Sequence, residues 1–153
     1  MKLFQEIESN ANIQEVIHSA FSMDLAIAGG WGYRQEVATI LLETTMPIAQ
    51  LQHTVASMRT HIEMNMTLPK EQRYAGINLH EVSREKYSID THTFEKVTYE
   101  ISAIQEELYN AFIKEYKEGY GTKEFDITNH FQRKSSATLK RESSHWFEVS
   151  ELL

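Results

Sequence analysis

The sequence predicts an α+β fold, an antiparallel sheet covered by helices, and three observations carry that reading. The stretch 25–42, LAIAGGWGYRQEVATILL, sets two apolar runs, 25–28 and 37–42, around three glycines. Two long segments, near 47–66 and 92–118, carry apolar residues at spacings of three and four. Alternation with a period of two returns at Phe125-Asp126-Ile127-Thr128 and at Phe147-Glu148-Val149-Ser150.

Residues 12–23 predict the first helix. Ile13, Val16, Ile17, Ala20 and Phe21 share one face, and Asn12 with Glu15 three residues on has the form of a capping box. Leu3, Phe4 and Ile7 form a shorter apolar face before it. The hairpin over 25–42 then forms the centre of the fold. Gly29-Gly30 suits a two-residue type I′ turn, because both central positions need positive φ, and that turn would set Trp31 opposite Ala28. The second helix starts at Thr45 and Pro47 and runs through Ile48, Leu51, Val55, Met58 and Ile62 to about Met66, where Leu68-Pro69 stops it. Residues 69–91 hold no long period, so 74–82 and 87–89 are short strands or a crossing loop.

A third helix is expected over 92–118, capped by Asp90 or Thr91 and stopped by Gly119, with Phe94, Val97, Ile101, Ile104, Leu108 and Ala111 as its seam. Tyr109, Phe112 and Tyr116 widen that seam beyond what one small sheet needs. They are the candidate interface residues, covered either by a second copy or by the first helix and the C-terminal tail with Trp146. Strands near 124–131 and 145–151 complete the sheet. The polar stretch between them, with Arg133-Lys134 and Lys140-Arg141, reads as a solvated loop.

Composition narrows the function classes. At 153 residues, with 41% apolar and 24% charged residues and two prolines, the chain is one domain over 1–153. With no cysteine there is no disulfide, no thiolate metal ligand and no cysteine nucleophile. The net charge of −7 disfavours nucleic acid as a partner, since that affinity rests on clustered Lys and Arg. No run approaches the ~18 apolar residues of a membrane span, and Glu6 and Glu8 stand where a signal peptide needs an apolar core, so a cytoplasmic protein without a membrane partner is expected.

The motif Gly29-Gly30-Trp31-Gly32-Tyr33 is the candidate ligand-binding loop, with two rings as stacking surfaces. It matches neither GxGxxG nor a P-loop, and a tight hairpin accounts for it as well. Of the seven histidines, His53, His61 and His92 are the candidates for metal binding. His53 and His61 are eight residues apart on one helix, about 12 Å along its axis, too far to share an ion, and no metal or other cofactor is expected. No GxSxG, SxxK, HExxH or Walker element is present, so no enzymatic activity is assigned. The reading is an acidic, non-enzymatic interaction protein of inhibitor, immunity or adaptor type that meets a protein partner and self-associates as a homo-oligomer. The alternative is a small-molecule binder or hydrolase with a pocket at Trp31 and Tyr33 and one or more histidines.

Overall fold

The computed structural model describes residues 4–8 and 11–153. The expectation for Leu3 lies outside the described residues. The fold is α+β: among the described residues, four α-helices accompany a five-stranded mixed sheet in the order β1-β2-β5-β4-β3. No helix among them is long and apolar enough to cross a membrane.

Helix α1, Ile13–Phe21, begins where the Asn12 carboxamide accepts from the amides of Gln14 and Glu15. It ends at Ser22, which takes a left-handed conformation at φ 55°. The hairpin follows as expected in position but not in form. Strands β1, Ile27–Gly29, and β2, Thr39–Leu41, pair antiparallel with Ala28 opposite Ile40, so Trp31 is not its partner. Gly29-Gly30 is therefore not a two-residue turn. The loop extends from Gly30 to Ala38 through a 3-10 turn at Gln35–Val37, because Gly30 and Gly32 donate their amides to Ala38 and Val37 across it. The hairpin also lies at the sheet's edge rather than its centre. Strand β2 pairs parallel with β5, which makes the sheet mixed.

Helix α2, Ile48–His61, continues into a π-helical turn, Ile62–Met66, so the helical segment does reach Met66. Pro47, rather than Thr45, stands at the cap position, with no side-chain cap bond. With α1 it supplies Ile13, Ile17, Leu51, Val55 and Met58 to a core completed by Val97, Tyr99, Ile101 and Phe147 of the sheet.

The segment 69–91 resolves into one long strand, β3, Tyr74–Ile89, and its partner corrects the largest expectation. Residues 92–105 are not helical: strand β4, His92–Gln105, pairs with β3, and the helix α3 occupies only Glu106–Gly119. Asp90, expected as a helix cap, instead turns the chain at φ 56° between the paired residues Ile89 and His92. Val97, Tyr99, Ile101 and Ala103 are buried at a spacing of two, which the Phe94-Val97-Ile101-Ile104 spacing had masked.

The C-terminal strands need correction as well. The stretch 124–131 is not a strand: Asp126 caps Asn129, and α4 occupies Ile127–Ala137. The last strand, β5, runs over Leu139–Glu148 and a 3-10 turn over Ser150–Leu152 follows, so 145–151 is strand only in its first half. Arg133-Lys134 and Lys140-Arg141 thus lie on a helix and a strand rather than in a loop. Helices α3 and α4 form a hairpin between β4 and β5, and α4 packs chiefly on α3. Helix α4 packs rings on part of the aromatic face expected to meet a second copy or the tail, namely Phe112 and Tyr116, whereas Trp146 lies against Tyr87 with ring centroids 5.2 Å apart.

Candidate functional site

Two constellations stand apart from the ordinary core. The first is ionic and internal, and the glycine-rich loop encloses it. Arg59, on α2, is 1% exposed and Glu63, one turn on, is 3% exposed. Arg59 Nη1 donates to the carbonyl of Trp31 at 3.1 Å, and Nη2 to Ser143 Oγ at 2.7 Å and to the Ser144 carbonyl at 2.9 Å. Its guanidinium lies 4.5 Å from the centroid of Tyr33. The Tyr33 hydroxyl donates to Glu63 Oε2 at 2.6 Å and accepts from the Ile7 amide at 3.0 Å. Arg141 Nη2 donates to the other oxygen of Glu63 at 2.5 Å, with its Cζ 4.5 Å from the centroid of the Phe4 ring.

Burial, then Glu63, raises the Tyr33 pKa, so the phenol stays protonated and can only donate to that carboxylate. Burial pulls the Arg59 pKa down, opposed by Glu63, and a guanidinium remains charged through such a shift. The arrangement joins the loop, α2 and β5. Apart from Arg59 Nε and Arg141 Nε, which are buried without a hydrogen-bond partner, its polar groups are engaged within the fold, so the cluster is built as a strut rather than a receptor.

The candidate ligand-binding residues are divided by this geometry. Tyr33 faces the ion cluster, Trp31 gives that cluster only its carbonyl while its side chain lies in the buried core, and Gly32 lies against His145. Gly29 and Gly30 instead line a shallow hollow with Val37, Ile40, Phe94 and Glu148. The five residues therefore do not share one concavity.

The histidines divide likewise. His53 and His61 line one surface groove with Phe21, Ser57 and Met58, and the His53 ring bonds the Leu79 carbonyl at 3.1 Å through Nε2. Burial lowers the His61 pKa. His92 is elsewhere, 3.3 Å from Glu148 at the β3–β4 turn. Among the described residues no three His, Asp or Glu side chains are grouped to hold an ion.

The second constellation is the groove between α3 and α4, about 240 Å³, lined by Phe112, Ile113, Tyr116, Lys117, His130, Phe131 and Lys134. Two candidate interface residues, Phe112 and Tyr116, are thus brought together, and Tyr109 stands just beyond, beneath Lys134 Nζ at 5.8 Å from its ring. The floor is a ring cluster in which His130 meets Phe112 edge-on at 5.7 Å and Tyr116 at 5.8 Å. His130 is 2% exposed, and its Nδ1 bonds Glu115 Oε1 at 3.0 Å. Arg133 clamps the same carboxylate through both terminal nitrogens. Arg133 and then His130 hold Glu115 below the usual carboxylate range. The sequence reading missed His130, although Ile127, His130, Phe131 and Lys134 stand at i, i+3, i+4, i+7 behind the Asp126 cap, which is a helical signal.

Around this groove the hairpin exposes Leu108, Tyr120, Ile127 and Phe131. The arrangement can bind an apolar group. It offers no free acid–base pair, because Glu115 is held by the two side chains beside it. Comparison with protein-family profiles, with curated proteins and with solved structures finds no match.

Proposed function

We propose that the protein is a non-enzymatic interaction module of inhibitor, immunity or adaptor type, acting in the cytoplasm and docking a protein partner through the α3–α4 hairpin. The observation that carries this reading is the set of exposed apolar side chains on this hairpin, Leu108, Tyr120, Ile127 and Phe131, the last of which lines a formed groove between the helices. Exposed apolar surface grouped in this way costs solubility unless something covers it. The net charge of −7 adds solubility and disfavours nucleic acid as the covering partner.

The small-molecule alternative has less support. The Tyr33 hydroxyl is engaged by Glu63 and Trp31 is buried in the core, and the groove of about 460 Å³ that His53 and His61 line, within the ~300–1,000 Å³ common for small-molecule sites, is lined by neither of these two rings. Homodimerisation through Phe112 and Tyr116 requires another route too, since α4 already lies on them, and a second copy would have to seat on Ile127 and Phe131.

The test is affinity capture from native lysate with the unmodified chain, with Phe131→Glu, and with Val82→Glu, an exposed position on β3. The reading expects a captured protein that Phe131→Glu loses and Val82→Glu keeps. Capture unaffected by Phe131→Glu overturns it, and light scattering that shows a concentration-dependent dimer abolished by Phe131→Glu assigns the surface to a second copy.

A further inference from the structure

Resting on that reading, we infer that the α3–α4 groove receives an acidic amphipathic segment of the partner, a bulky apolar side chain seated between the helices with a carboxylate beside it. The floor supplies the apolar half: Phe112, Ile113, Tyr116 and Phe131 are hydrocarbon-rich faces that gain by excluding water. The rim supplies the charged half. Lys117 from α3 and Lys134 from α4 both line the groove, and neither is in an ion pair among the described residues.

The carboxylates that could neutralise those lysines are already engaged. Glu115 is held by Arg133 and His130, and Glu118 lies 4.0 Å from Lys114 Nζ. A ligand in the groove therefore meets two uncompensated positive charges on a protein whose net charge is −7. That reversal of sign at one apolar concavity favours an anionic partner there and repels a cationic one. A carboxylate fits better than a phosphate. The nearby guanidinium, Arg133, which would give a planar fork for phosphate, is spent on Glu115, and lysine acts only as a point charge.

The occupant's chemistry can be tested before any partner is known, by titrating the isotope-labelled full chain in two-dimensional NMR with three probes of one shape. These are 4-phenylbutyrate, 4-phenylbutan-1-ol and 4-phenylbutan-1-amine. The expected result is that resonances of 112–117 and 130–134 shift with all three, with the carboxylate about three- to tenfold tighter than the alcohol and the amine weakest, as two exposed charges allow. In Lys117→Glu/Lys134→Glu the order should invert, with circular dichroism unchanged because the Lys117 side chain is solvent-facing and Lys134 half so.

A second arm uses an acetylated, amidated twelve-residue helical peptide with Leu at i and i+4 and Glu at its flanks, against the same peptide with Gln for every Glu. Tighter binding of the Glu peptide in the same residues supports a partner segment. Response to phenylbutyrate but to neither peptide makes the groove a small-molecule site and overturns the inference. Equal affinities of the three probes, or shifts located outside the groove, also overturn it. Concentration-dependent shifts in these residues without any probe identify a second copy as occupant and overturn it as well. Charge selectivity lost while lysate capture still depends on Phe131 sinks this inference and leaves the interaction reading standing. The converse pattern does the opposite.

Discussion

Thr39 and His145, 106 residues apart, share a 2.8 Å hydrogen bond whose direction a third group fixes. The Thr39 hydroxyl gives its single proton to the Gly30 carbonyl at 2.7 Å, so it must accept from His145 Nε2–H. Nδ1 of the ring is then the bare acceptor, and it has no hydrogen-bond partner. The ring stacks on Phe147 at 4.1 Å, wholly buried.

That geometry predicts acid sensitivity. Burial, and then the Arg59 charge, push the His145 pKa well below its ordinary value, and burial lowers His61 too. The unfolded histidines, with pKa near ~6.5, bind protons that the folded ones do not. Their stabilisation is therefore complete above about pH 6.5 and is lost progressively as pH falls below it. Urea midpoints should decline from pH 7 to pH 5. His145→Gln, whose amide can still donate to Thr39, should be less stable at pH 7 but should flatten that decline. An undiminished slope would exclude the buried ring as its source.

Gly32 shows a cost that φ alone does not explain. It takes φ +76°, its amide donates to Val37, and its carbonyl accepts from Trp146. A methyl group there would lie 2.2 Å from His145 Cδ2 and 2.7 Å from the Trp146 carbonyl. Gly121 has φ +85° with nothing within 4 Å of the same position. Gly121→Ala should cost about 1 kcal/mol through backbone strain, and Gly32→Ala more than about 3 kcal/mol through strain and overlap together. Denaturant titration of both variants decides it, and equal losses would mean that the loop can move away from β5.

The Arg59–Glu63–Arg141 cluster should behave as a buried network. Glu63→Gln leaves two arginines without their carboxylate, and such a broken pair costs about 3–5 kcal/mol. Tyr33→Phe removes the donor to Glu63 and the acceptor for the Ile7 amide, for about 1–3 kcal/mol. Measured by urea unfolding, the double variant should lose less than the sum of the two, because the residues share one network. Strict additivity would argue that water already screens the cluster.

The α3–α4 hairpin should open before the sheet does. Helix α4 buries His130 and little else, whereas β4 is paired on both sides along most of its length. Hydrogen exchange should be faster over 127–137 than over 97–103. Phe112→Ala, which empties the hairpin's interior, should destroy protection over 106–137 by about 3 kcal/mol and spare β4. Simultaneous loss in both would show one cooperative unit.

The amino-acid sequence determined the local features. Asn12 starts α1 because its side chain reaches amides two and three residues on, and the stripe from Ile48 to Ile62 makes α2. The runs around the glycines pair as β1 and β2, and the mixture of helical stripes with alternating segments predicts the α+β class that the structure has. Tertiary structure decided what short-range periodicity leaves ambiguous. Residues 94–104 satisfy a spacing of three and four as well as a spacing of two, and pairing on both flanks with β3 and β5 selects the strand. Conversely, 125–128 alternates like a strand but has no such partner, so Asp126 caps a helix there instead. The groove and the ion cluster follow from that choice. Shortening the long helix to α3 lets α4 fold back on Phe112 and Tyr116, and it brings β5 with Arg141 beside Glu63, 78 residues away in the chain, a convergence that no local pattern of residues encodes.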